Sequence, residues 1–127
     1  MHPMLNIAVR SARAAGKVIL RAFEQVDKIE IESKGTNDLV TNVDISAELA
    51  IVETIQKSYP NHTIIGEECG LIEGKDNDYQ WIIDPLDGTS NFVKGIPHFA
   101  VSIALKVKGK LDQSVIYDPI RGELFTA

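Results

Sequence analysis

Trp81-Ile82-Ile83-Asp84-Pro85-Leu86-Asp87-Gly88-Thr89-Ser90-Asn91-Phe92 is the most informative stretch of this 127-residue chain. The residues Tyr79 to Asp84 are a short, largely apolar run that reads as a buried strand delivering Asp84 at its end. Pro85 has no N–H to give a ladder, so the strand should break there; Asp87 follows, then Gly88-Thr89. Two carboxylates this close at a strand end repel each other, and a bound divalent cation is the usual remedy. Gly88 lets an anion approach the backbone N–H groups of Gly88, Thr89 and Ser90, and a helix starting there would add its dipole. A strand, a proline turn and a capped helix with no ligand at all would fit the same residues.

Upstream, Thr63 to Gly66 is a second short apolar run closed by a turn residue, and Glu67-Glu68 follows it. Adjacent acids in a loop are normally solvated. Here the order strand, turn, carboxylate occurs twice, at Glu67 and again at Asp84 and Asp87, as if two neighbouring strand ends faced one ion. Mg²⁺, which takes oxygen ligands and keeps several waters, suits such a partial cage.

Further out, Leu5, Ala8, Val9, Ala12, Ile19, Ala22 and Phe23 recur at helical spacing from Pro3 to about Phe23, with Arg10, Arg13, Lys17 and Arg21 on other faces. A solvated face is the ordinary reading of that basic stripe; a partner surface is the alternative. Val26 to Ser33 alternates as a strand, Gly35 to Asp38 are turn formers, and Leu39 to Val43 reads as the returning strand of a hairpin. Asp44 stands before a second helical pattern, Ala47, Ile51, Val52 and Ile55, that ends before Pro60, so its plain reading is an N-cap. Phe99–Val107, Ser114–Tyr117 and Leu124–Thr126 continue as strands. Helix, hairpin, helix, then mostly strands is an α+β order.

Composition narrows the function classes. With 44% hydrophobic and 24% charged residues the chain can bury a core, which excludes disorder. A net charge of −5 argues against a broad nucleic-acid-binding face. Cys69 is the single cysteine, so no internal disulfide can form, and a buried structural thiol is its default reading. No apolar run approaches the roughly 18 residues needed to cross a bilayer, and the N-terminus does not read as a signal peptide. A cytoplasmic protein without membrane contact is the expectation.

Several sharper motifs fail. In Gly70-Leu-Ile-Glu-Gly74-Lys75-Asp76 the glycines stand too close for a phosphate-binding P-loop, and Asp76 replaces its Ser or Thr. Asp76-Asn77-Asp78 lacks the glycine and glutamate of a calcium loop and reads as a polar turn. Asn61-His62-Thr63 fits a glycosylation sequon that would matter only in a secreted protein. His2, His62 and His98 share no metal-ligand spacing.

DPLDGTSNF at 84–92 resembles the first signature of the inositol monophosphatase family, D-P-[ILV]-D-G-T-x-N-[FY]. DLVTNVD at 38–44, GEE at 66–68 and PHFAVSIAL at 97–105 resemble its other N-terminal blocks, in order, and the match is closest to the bacterial SuhB-type members. The resemblance implies the N-terminal half of a layered αβαβα fold, two long helices on a largely antiparallel sheet. It implies two or three Mg²⁺ ions: Glu67, Asp84 and the Leu86 carbonyl at the first, Asp84 and Asp87 at the second, and a further ion near Glu67. Thr89 paired with Asp44 would orient and activate a metal-bound water that attacks phosphorus in line. Asp87 and the N–H groups of Gly88 and Thr89 would hold the phosphate, with Lys34 and Asp38 supporting from a nearby loop.

The implied activity is hydrolysis of myo-inositol monophosphate and related small sugar phosphates, sensitive to Li⁺, in a homodimer. The family's second signature, a W-D-x-A-[AG]-[AG] block supplying a third aspartate, does not occur in this sequence. The chain therefore reads as residues 1–127 of a longer domain whose C-terminal half is absent, weakly active or inactive alone, with an apolar face uncovered. Alternatives are a nucleotide or fructose bisphosphatase of the same superfamily, and a non-catalytic regulatory module that binds a protein partner.

Overall fold

The computed structural model describes residues 3–24, 31–34, 38–88, 91–92, 96 and 98–127. Helix α1 spans Pro3–Phe23, as its periodicity predicts, and buries Ile7, Ala8, Ala12, Ala15 and Ile19 along one stripe. Ser11 is fully buried on that stripe, and its hydroxyl donates to the Ile7 carbonyl at 2.7 Å. Arg10, Arg13, Lys17 and Arg21 are exposed, and the Arg13 guanidinium lies over the Tyr117 ring at 5.4 Å. The basic stripe is thus a solvated face with one member stacked on the sheet.

Strands β1 (Ile31–Lys34) and β2 (Asp38–Thr41) form the antiparallel hairpin, ending on the pair Lys34 and Asp38. The expected strand residues 26–30 and turn residues 35–37 lie outside the described residues. The returning strand is shorter than its sequence suggests, because helix α2 (Asn42–Ser58) already begins at Asn42. Val43 belongs to the helix's buried stripe, one turn before Ala47, and that contact overrides its strand propensity. Asp44 is consequently inside the first turn of α2, not ahead of it as an N-cap.

The remaining strands are β3 (His62–Gly66), β4 (Gly70–Ile72), β5 (Asp76–Asp87), β6 (Ala100–Val107), β7 (Lys110–Asp118) and β8 (Glu123–Thr126). They form one sheet in the order β4-β3-β5-β6-β7-β8, in which β3 and β5 run parallel and every other pairing is antiparallel. Two helices on a mostly antiparallel sheet match the expected α+β architecture. β4 was not anticipated; three residues at an exposed edge carry no readable period. Asp76–Asp78 is the start of β5, not a polar turn: the Asp76 N–H donates to the Asn61 carbonyl at 2.8 Å, and Thr63 Oγ1 lies 3.0 Å from Asn77 Oδ1.

The core lies between the helices and one sheet face. Trp81, Ile64, Ile103, Leu105 and Val115 meet Ile19, Ile51 and Ile55 there. Phe23, Phe92 and Phe99 form a cluster with ring centroids 5.0–5.7 Å apart, tying the end of α1 to the segment after β5. On the other face Ile116 and Phe125 are cross-strand partners, 48% and 57% exposed, so an apolar patch is uncovered as expected. No helix among the described residues is long and apolar enough to cross a membrane.

Candidate active site

Because β3 and β5 are parallel neighbours, with Gly66 opposite Ile83, their C-terminal ends emerge at the same edge of the sheet. β3 leads directly into Glu67-Glu68, and Asp84 is the β5 residue just past the last one paired with β3. The chain end of an open sheet where parallel strands stop is a usual place for a ligand crevice. The first turn of α2 brings Asp44 to the same place. Carboxylate oxygens of Asp44, Glu67 and Glu68 all lie within 4.8 Å of one another, with Asp44 buried, Glu68 half-buried and Glu67 exposed.

Pro85 interrupts the β5 ladder but does not end it. Asp84 pairs with Ser102 and Asp87 with Ala100, so β5 takes three steps where β6 takes two, and one residue bulges. Inside the bulge Leu86 is buried and its N–H donates to Asp84 Oδ1 at 3.3 Å, while Asp87 is exposed beside it. Gly88 follows with φ +98°, and a Cβ there would lie 2.7 Å from the His98 carbonyl oxygen. The Phe92 N–H donates to the Gly88 carbonyl at 3.0 Å, and Asn91 Nδ2 donates to the His98 carbonyl at 2.9 Å. Buried Phe92 therefore anchors the turn. Thr89 and Ser90, expected at the phosphate cradle, lie outside the described residues.

The electrostatics follow from crowding. Burial pushes the Asp44 carboxyl up to about 7, and the carboxylates of Glu68, Glu67, Asp84 and Glu48 add to the effect. Asp84 is raised by burial and by Asp87, against the opposing hydrogen bond from Leu86. Such an arrangement favours either a proton or a cation, and its donors are all hard oxygens of the type Mg²⁺ takes.

Cys69 is exposed, which corrects the expectation of a buried thiol: it follows the Glu67-Glu68 turn where the chain reverses into edge strand β4. Desolvation and Glu48 push the thiol up to about 11, so it is protonated at neutral pH and is a poor nucleophile. Glu68 stands beside Glu67 in the sequence with no role of its own assigned, and Glu48, which the sequence reading does not single out, hydrogen-bonds the turn that carries them. Glu48 is 2% exposed although it is charged. Its signal was present in the sequence, since Asp44 and Glu48 stand one turn apart on the same stripe as Ala47, Ile51 and Ile55.

The inositol monophosphatase family model matches residues 1–127. The chain belongs to the inositol monophosphatase family. Curated relatives include proteins named Nus factor SuhB from Pasteurella multocida and Escherichia coli, 63% and 62% identical over all of this chain and 48% of each relative. The chain spans about half the length of the curated relatives it matches. Among solved structures, the extragenic suppressor protein suhB of Bartonella henselae is 43% identical with a TM-score of 0.95, over 98% of this chain and 48% of that one. The Thermotoga maritima IMPase is 35% identical with a TM-score of 0.86, over 98% and 47%. Family membership and fold agree with the resemblance read from the four sequence blocks.

Proposed function

We propose that this chain is the N-terminal half of a Mg²⁺-dependent phosphomonoesterase that hydrolyses myo-inositol monophosphate and related small sugar phosphates. The observation that carries the reading is the convergence of Asp44, Glu67 and Glu68 at the shared end of two parallel strands, beside Asp84. Glu67, Asp84, Asp87 and the Leu86 carbonyl would hold Mg²⁺, in two or three sites. Bound there, Mg²⁺ supplies charge neutralisation and a lowered water pKa.

The chain's own residues do the rest. Asp44, buried in the first turn of α2 with its carboxylate beside those of Glu67 and Glu68, is placed to accept a proton from water, with Thr89 orienting that water. The backbone N–H groups of Gly88 and Thr89 hold the phosphate, Asp87 reaches it only through the cation it would bind, and Gly88 supplies the positive φ the turn needs where it passes the His98 carbonyl. A covalent phosphoenzyme is not required. Li⁺ inhibition, a homodimer and a cytoplasmic location belong to the same proposal. So does weak or absent turnover by these 127 residues alone, which lack the W-D block.

The test is phosphate release from inositol 1-phosphate by the protein extended to family length, titrated with Mg²⁺, alongside fructose 1,6-bisphosphate and a nucleotide bisphosphate. Turnover that needs no Mg²⁺, or that survives Asp87→Asn unchanged, would sink the reading. The name Nus factor carried by relatives of 61–64% identity favours a second reading, a non-catalytic role in binding a protein partner. That reading predicts partner binding unaffected by Asp87→Asn.

A further inference from the structure

Glu48 is a carboxylate on the apolar stripe of α2, 2% exposed. A charge buried to that degree is costly unless hydrogen bonds hold it. Its partners are all on one turn. Glu48 Oε1 and Oε2 accept the Glu68 N–H at 3.2 and 3.1 Å, and Oε2 also accepts the Cys69 N–H at 2.5 Å. The strand end is shaped to admit it: a Cβ on Gly66 would lie 2.6 Å from Glu48 Oε1 and 2.8 Å from its Cδ. One turn earlier the same helix carries Asp44, whose carboxylate meets those of Glu67 and Glu68.

We propose that Glu48 is a positioning residue that clamps the Gly66–Cys69 turn to α2 and so sets the spacing between Asp44 and the Glu67-Glu68 pair. Both of its oxygens are engaged by backbone N–H groups, so it acts through that turn. The helix supplies a rigid ruler, since Asp44 and Glu48 are fixed one turn apart, and the clamp transfers that fixed distance to the loop. The proposal rests on the reading that these acids hold a divalent cation.

The experiment compares the wild-type protein with E48Q and E48D. E48Q keeps the length of the side chain and loses its charge and one acceptor; E48D keeps the charge and retracts it by one methylene. Mn²⁺ binding, read from the electron paramagnetic resonance of the free ion, is the probe of the site. Amide hydrogen exchange at Glu68 and Cys69, measured without metal, is the probe of the clamp. Positioning predicts that both variants weaken Mn²⁺ binding by about tenfold or more, as loss of groups that orient metal ligands commonly does. It also predicts that both amides exchange severalfold faster in both variants, with the Trp81 fluorescence of the folded state retained. Wild-type Mn²⁺ affinity in E48D beside a weakened E48Q would show that only the charge matters and would overturn the proposal. Unchanged exchange at the two amides would overturn it as well. No Mn²⁺ binding by the wild-type protein would instead overturn the cation reading, and this one with it.

Discussion

Asp44→Asn should make the metal-free protein more stable at neutral pH while removing the proposed catalytic base. The folded state holds the Asp44 proton up to about pH 7, and the unfolded chain releases it near 3.8. Between those values the folded form binds more protons, so stability is lost as pH rises through this window and is level above it. At about 1.4 kcal/mol per unit, a shift of this size amounts to roughly 4 kcal/mol above pH 7. Asparagine has nearly the same shape, carries no charge, and offers an amide donor to the surrounding carboxylates.

The assay is urea unfolding in EDTA, followed by the fluorescence of Trp81, the single tryptophan, which is fully buried. Comparing wild type with D44N at each pH cancels the titrations they share. The advantage of D44N should grow from about 1–2 kcal/mol at pH 5 to about 4 kcal/mol at pH 8. Saturating Mg²⁺ should shrink it by stabilising the wild type. Parallel pH curves for the two proteins, or a D44N variant less stable at pH 8 in EDTA, would refute the electrostatic account.

Two further outcomes are expected. Gly88→Ala must hold an alanine at φ +98° with its Cβ against the His98 carbonyl, at a cost of about 1–3 kcal/mol, so its thermal midpoint should fall by several degrees; an unchanged midpoint would show that this conformation is not required. His62 stacks between Tyr59 and Tyr79, with centroids 4.6 and 4.5 Å away, and its Nδ1 accepts the Trp81 indole N–H at 3.0 Å. His62→Phe keeps the stack and strands that donor, costing about 1–3 kcal/mol in urea unfolding at pH 7. Burial lowers the His62 pKa against the pull of Asp76, so the unfolded chain takes up its proton first and wild-type stability is lost as pH falls below about 6.5. The phenylalanine variant should lack that contribution; an identical acid limb would contradict the assignment.

What could be read from the sequence was what depends on near neighbours. The period of α1 is legible because its stripe of Ile7, Ala8, Ala12, Ala15 and Ile19 is continuous over more than three turns. The strand-turn-carboxylate pattern was legible at Glu67 and at Asp84 because each lies within a few residues of its own strand. The boundary at Asn42 was misplaced because Val43 is a good strand residue that a helical neighbour four positions on claims for the core. Asp76–Asp78 reads as a turn from its neighbours alone because the residues that bring it into the sheet, Asn61 and His62, stand well back along the chain.

From the sequence alone come the helices, the hairpin and most of the acids that face the crevice, since local order carries those, and the family, through the resemblance of its four motif blocks. The tertiary structure decided which acids meet. The parallel pairing of β3 with β5 brings two distant strand ends to one edge, and burial there raises the proton affinity of Asp44. Glu48 became a clamp only when α2 packed beside the β3–β4 turn, because its acceptors are useful solely to N–H groups some twenty residues away.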